Sequence, residues 1–347
     1  VGRSGPGAGV YLDIDLLNRR IRSDYDYSLE TYTNTLALPP VPGRRPTRFP
    51  VVTGNGVDSS ICATGTVNNE IGTMIALGMN GRGFAGNFLD LNWYNQGFTK
   101  LFWAGTDAWR LRDGDMAAID YPAITGAVTA AAQTIIGTGK TNDLVAWLLM
   151  DEPSSMSLES VVASTNCQAQ FPVYLQGLGL DPSFFGASDW STVLPTTNKT
   201  NGKLFYYTAK YRNQLLVDLF KAATVVATNY LPDAPTMANF AEESTFAGNL
   251  LVNGADWFEM FTQNALQLGW TEDWLAYVAT RQLGGYRADL LRSATARAGR
   301  PFGMYNIMAS GWDIQLKTVT DIGHGATAVY YYNYGPPFMG GDSAGYD

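Results

Sequence analysis

The stretch VAWLLMDEPSS runs from Val145 to Ser155. A run without a charge, Val-Ala-Trp-Leu-Leu-Met, leads directly into Asp151-Glu152-Pro153. An apolar run of this length that ends in turn residues reads as a strand buried on both faces. Such strands belong to parallel sheets covered by helices. The two carboxylates then stand where the strand leaves the core. The stretch decides the fold because its pattern recurs along the chain.

Outward from it, short β-rich runs alternate with longer helical ones. RFPVVTG (48–54), GRGFAGN (81–87), TKLFWAGTDAW (99–109) and PTMANFA (235–241) read as strands. So do LGWTEDW (268–274), PFGMYNIM (301–308) and ATAVYYYNYG (326–335). Between them, VNNEIGTMIALG (67–78), YPAITGAVTAAAQTIIG (121–137) and the long run at 202–231 read as helices. DWFEMFTQNALQ (256–267), LGGYRADLLRSATARAG (283–299) and GWDIQLKTVTDIG (311–323) do the same. Alternating strands and helices imply parallel pairing with right-handed crossovers. About eight such units within about 250 residues is the size of a (β/α)₈ TIM barrel. A doubly wound open sheet is the alternative. The expected organisation is an N-terminal arm, or the remnant of a preceding domain, at 1–48, a barrel at 49–335 and a Gly-rich tail at 336–347. Ser154–Asn201 is too long for a simple connection and reads as an irregular lid or side wall.

Composition narrows the function. The 347 residues are 46% apolar, 13% aromatic and only 16% charged, with a net charge of −8. The low charge and the many rings suit a packed, loop-rich chain. An acidic surface repels phosphate backbones, so nucleic acid is not an expected partner. No apolar run reaches the length of a membrane span. The first residues lack the basic-then-apolar order of a secretory signal, so the chain reads as a mature product, a fragment or a cytosolic protein. Cys62 and Cys167 are too few and too far apart to pair from sequence. Asn198-Lys199-Thr200 has the form of a glycosylation sequon.

In a parallel barrel the site lies where the strands end. Acids, amides and aromatics collect there: Asp107 and Trp109 after strand 3, Asp151 and Glu152 after strand 4, Asn239 after strand 5. Trp270, Glu272, Asp273 and Trp274 lie around the end of strand 6, Asn306 on strand 7, and Tyr332, Asn333 and Tyr334 on strand 8. This mixture suits sugars. Cleaving a glycosidic bond takes one carboxylic acid to protonate the leaving oxygen and a second carboxylate to attack or to activate water. Aromatic faces stack on sugar C–H faces, and amides bond hydroxyls. The plain alternative is that such carboxylates cap the following helices and that the rings fill the core.

The MDEP at 150–153 resembles the Asn-Glu-Pro signature of the clan A (β/α)₈ glycoside hydrolases, with Asp for Asn. LGWTEDW (268–274) and HGATAVYYYNYGP (324–336) resemble late barrel strands of β-galactosidase-like glycosidases. The resemblance covers about 49–335. It implies Glu152 as general acid/base and a nucleophilic Glu after strand 7. No Glu lies there, and the first acid is Asp313 in the next helix. Glu272 is therefore the expected second carboxylate, with Asp273 and Asp107 in reserve. The two catalytic carboxyls are expected to face each other at about 5–10 Å across an open cleft. Trp109, Trp270, Trp274, Tyr332 and Tyr334 are expected to line sugar subsites, and Asp151, Asn239, Asn306 and Asn333 to bind substrate.

Other patterns fall away. Gly81–Gly86 fits G-x-G-x-x-G but is not clearly placed between a strand and a helix. Gly341–Gly345 fits G-x-S-x-G, with no His after it. The single His324 sits at a helix end, where a cation complements the dipole. One His and two distant Cys exclude an ordinary zinc site, and no cofactor is expected. The working expectation is a secreted or cell-surface glycoside hydrolase that takes a carbohydrate substrate. It acts alone, as a homo-oligomer or in a larger extracellular assembly. The alternative is a non-catalytic carbohydrate-binding or surface-assembly barrel.

Overall fold

The computed structural model describes residues 46–54, 64–85, 91–104, 106, 116–241, 254–273, 282–307 and 311–332. The strands are β1 (Val51–Thr53), β2 (Gly81–Ala85), β3 (Lys100–Ala104), β4 (Leu144–Asp151), β5 (Thr236–Asn239), β6 (Gly269–Asp273), β7 (Phe302–Ile307) and β8 (Val329–Tyr332). The helices are α1 (Thr64–Ala76), α2 (Asn92–Asn95), α3 (Tyr121–Gly137), α4 (Leu158–Ala163), α5 (Thr165–Gly177), α6 (Gly202–Tyr230), α7 (Trp257–Thr262), α8 (Gln282–Ala296) and α9 (Gly311–Gly323).

All eight strands run parallel in the order β5-β4-β3-β2-β1-β8-β7-β6. A bridge between Phe240 and Thr271 brings the two ends of this sheet together. Glu272 N donates to Phe240 O at 3.1 Å, and Leu268 N to Thr236 O at 3.0 Å across the same seam. The sheet is therefore a barrel rather than an open doubly wound sheet.

Two cores follow from the period-2 alternation of strands. Inside the barrel, Val52, Phe102, Leu148, Met237, Trp270 and Tyr330 interlock. Outside it, Trp103, Trp147, Leu149 and Met304 pack against helix residues such as Val128, Leu216 and Leu291. The opening stretch is thus buried on both faces, as its composition requires. Small residues make room for large ones in the barrel. A Cβ on Gly303 would overlap the Trp270 ring, and one on Gly83 would overlap Tyr330. Gly303→Ala is expected to destabilise by about 1–3 kcal/mol through overpacking. Gly126→Ala, in α3 with open space around it, should instead be neutral or stabilising. Thermal melts of the two variants check this.

The segment after β4 departs from expectation. It is not irregular: it folds into α4 and α5, capped by Ser157 and Ser164, followed by single 3₁₀ turns at Pro182–Phe185 and Trp190–Thr192. The caps explain this, because each serine oxygen accepts from a first-turn N–H and starts a helix, α4 being only six residues long and α5 interrupted by Pro172. His324 follows α9 and its Nδ1 lies 2.9 Å from Asp289 of α8, so it joins two helices. Among the described residues, no helix is long and apolar enough to cross a membrane.

Candidate active site

The site is built at the C-terminal ends of β4, β5 and β6. A register shift between Leu148 and Met150 breaks the β4–β5 ladder just before the acids. Such irregularities re-aim side chains at barrel rims. Glu152 then leaves the strand with φ 42°, in the left-handed region. Its backbone N–H donates to Asn239 O at 2.8 Å, which holds it there. The loop beyond is fastened from α6: Arg212 Nε donates to Met156 O at 2.5 Å, and Ser155 Oγ donates to Arg212 O at 2.7 Å.

Glu152 is not a helix cap. The next helix takes its cap from Ser157, whose side chain accepts from Ser160 N. By contrast Asp120 and Asp256 do cap α3 and α7. A non-glycine residue held at positive φ without a capping role carries strain, and such strain concentrates at functional sites. Glu152→Gly is therefore expected to raise stability by about 1 kcal/mol, whereas Glu152→Ala should not. Denaturant titration of the two variants tests it.

Asn239 is the hub. Its Nδ2 donates to Asp151 Oδ1 at 2.9 Å and to Glu272 Oε2 at 2.8 Å. Glu272 is 4% exposed, while Asp151 and Glu152 are exposed. The Glu272 carboxyl also hydrogen-bonds that of Glu152. Burial, then this contact and the negative charges of Glu152 and Asp151, push Glu272 up to about 9, against the opposing hydrogen bond from Asn239. Glu272 therefore carries a proton at neutral pH. The site is a carboxyl pair with a buried member, Glu272, whose titration is raised, and an exposed member, Glu152. The two carboxyls touch, which is closer than the 5–10 Å separation anticipated from sequence.

Glu152, Glu272, Asp151 and Asn239, chosen from sequence, thus converge. Tyr332 is half-buried and stacks at a tilt on Tyr305, 5.4 Å between centroids. Three other choices are corrected. Trp270 faces into the barrel, 1% exposed, and packs on Phe102 at 5.3 Å, so it fills the core rather than a sugar subsite. Asp273 is the next residue after Glu272 and points the opposite way. It meets Arg287 of α8 at 3.2 Å and Lys317 of α9 at 3.6 Å in the helix layer. Asn306 likewise faces outward, toward Asp321 of α9. Asp107, Trp109, Trp274, Asn333 and Tyr334 lie outside the described residues.

Tyr305 was not anticipated. It pairs in register with Glu272 on one side and Tyr330 on the other. Its ring stacks on Tyr330 at 4.2 Å and 11°. Alternation on β7 would have found it: Gly303 faces into the barrel, so Tyr305 does too, and Asn306 does not. Among the described residues, no group of three or more His, Cys, Asp or Glu is arranged to hold a metal ion.

No protein-family model and no curated protein matches the chain. Solved structures do resemble it. The cold-adapted β-galactosidase from Rahnella sp. R3 is 13% identical with a TM-score of 0.59, over 83% of this chain and 52% of that one. A catalytic mutant of Gan42B, a GH42 β-galactosidase from G. stearothermophilus, is also 13% identical with a TM-score of 0.59, over 84% and 52%. The β-galactosidase from Bacillus circulans sp. alkalophilus is 13% identical with a TM-score of 0.56, over 82% and 50%. The chain spans about half the length of these structures. At such identity the likeness is one of fold: this chain carries a (β/α)₈ barrel, the fold it shares with these structures.

Proposed function

We propose that this barrel is an O-glycosyl hydrolase whose working groups are Glu272 and Glu152. The observation that carries the reading is the pair of carboxyls at the ends of β4 and β6, Glu152 exposed and Glu272 buried against Asn239. Glycosidic cleavage needs one protonated and one ionised carboxyl, and the way to obtain both at neutral pH is to give them different environments. Burial supplies the difference here. Glu272 holds the proton and donates it to the leaving oxygen. Glu152, exposed at the rim, moves aside as the sugar enters and acts at the anomeric carbon or on a water. This reverses the roles that the resemblance alone implies, in which Glu152 is the acid. Asp151 and the Oδ1 of Asn239 accept from sugar hydroxyls, with Tyr305 and Tyr332 as the ring surface beneath. The β-galactosidases among the structural neighbours make β-galactosides the first substrates to try.

A second reading rests on a specific observation. β7 ends at Ile307, which is 4% exposed, and no Glu follows it. A barrel that binds sugar without cleaving it would look the same there. Hydrolysis of a panel of β-linked disaccharides by the wild type and by Glu272→Gln separates the two. Turnover that Glu272→Gln abolishes supports the hydrolase. Oligosaccharide binding without turnover supports the binding module.

A further inference from the structure

Behind the proposed site lies a buried cluster of charges that the reading above does not use. Arg287 of α8 is fully buried. Its Nη2 meets Asp273 Oδ2 at 3.2 Å, and its Nη1 donates to the backbone carbonyl of Glu272. Lys317 of α9 donates to Asp273 O at 2.8 Å and to Ile307 O at 3.2 Å, and pairs with Asp273 Oδ2 at 3.6 Å. Asp321, one turn further along α9 and 1% exposed, is within electrostatic reach of both cations. These contacts fall on the last carbonyls of β6 and the last carbonyl of β7, where the strand ladders stop. On its other flank the end of β6 is tied to the residue after β5, where Phe240 N donates to Trp270 O at 3.3 Å and Glu272 N donates to Phe240 O at 3.1 Å. The end of β6 therefore takes its position from β7, from Phe240 and from these two cations.

The geometry points to Arg287 and Lys317 as positioning residues that set the place of the Glu272 carboxyl in its dry contact with Asn239 and Glu152. The inference rests on the hydrolase reading for its effect on rate, but not for its effect on Glu272 itself. Buried ion pairs add little net stability compared with apolar packing. A cluster that closes on backbone carbonyls beside one carboxyl is better explained by what it positions.

The groups facing Glu272 are Asp151 at the end of β4, Glu152 just after it and Asn239 from β5, while Arg287 from α8 reaches its carbonyl. The sign of the effect separates position from charge. Removing a cation, taken alone, disfavours the carboxylate and would raise the point at which Glu272 titrates. Releasing the strand end lets water reach the carboxyl and lowers it.

The test is Lys317→Met in the full chain, with the Glu272 carboxyl followed by infrared difference spectroscopy against Glu272→Gln. The expected result is a folded variant whose Glu272 titrates at least one pH unit lower than in the wild type. Its kcat should fall at least 10-fold with KM within twofold, and Lys317→Arg should restore both. An unmoved or raised titration, or a loss carried by KM alone, overturns the inference. If Lys317→Met does not fold, Lys317→Ala removes the same donor with less steric demand and gives the same readout. If the wild type cleaves no glycoside, the hydrolase reading fails, and the infrared titration alone still decides the positioning role.

Discussion

Glu152→Gln and Glu272→Gln are each expected to lower kcat on an alkyl or sugar leaving group by about 10³-fold, the size of a lost acid or base. The two should part company when the leaving group changes. A 2,4-dinitrophenolate departs without a proton. If Glu272 is the donor, Glu272→Gln should keep much of the wild-type rate on a dinitrophenyl glycoside while losing it on a methyl glycoside. Glu152→Gln should lose both, because attack at the anomeric carbon is needed whatever leaves. The opposite pattern would restore the acid role to Glu152, as the Asn-Glu-Pro resemblance implies. Equal losses on all substrates would argue against separate roles. The double variant should lose little more than the worse single one, since the pair works as a unit.

The structural basis for this asymmetry is a difference of environment. Glu152 and Glu272 share one chemistry, but β4 delivers Glu152 to solvent through a left-handed turn, while β6 delivers Glu272 into the barrel mouth. Asn239 reaches Glu272 and, through Asp151, the end of β4 with one amide nitrogen. Asn239→Ala would leave the Glu272 carboxyl without that donor.

Much of the barrel could be read from the chain. The residues of β4 are apolar because both faces are covered. α3 has the bounds its periodicity gives, 121–137, with Asp120 as cap. The pairing of Glu152 with Glu272 followed from placing acids at strand ends. What the chain did not show is the direction of each strand-end side chain. Glu272 and Asp273 are adjacent in sequence, yet one meets Asn239 and the other meets Arg287 and Lys317. That choice depends on which residue of β6 the barrel interior claims, and Trp270 claims it through the space that Gly303 leaves. The same frame makes Tyr305 an inward residue and Asn306 an outward one. The helices between β4 and α6 were hidden for another reason. α4 has only one fully buried residue, and α5 contains Pro172, so neither displays a clean apolar stripe.

The second large effect is on stability. Glu272 in the folded chain titrates at about 9, against an ordinary value of 4.5. Between those values the folded state holds a proton that the unfolded state has released. Unfolding then gives up a proton, and stability falls as pH rises through this window. The penalty is absent below about 4.5, grows through neutral pH and is complete above about 9. Each unit of the rise corresponds to about 1.4 kcal/mol, so even two units destabilise by about 2.7 kcal/mol. Glu272→Gln has no proton to lose, and its carbonyl can still accept from Asn239. The variant should therefore melt close to the wild type at pH 5 and about 5 °C or more above it at pH 9. Asp321, pushed up to about 7 by burial, gives the same trend to both proteins, so it drops out of the difference. A gap that stays constant from pH 5 to 9 would show that Glu272 is not held protonated. A gap that widens would place the proton on the buried carboxyl in the resting protein, where the leaving oxygen of a bound glycoside needs it.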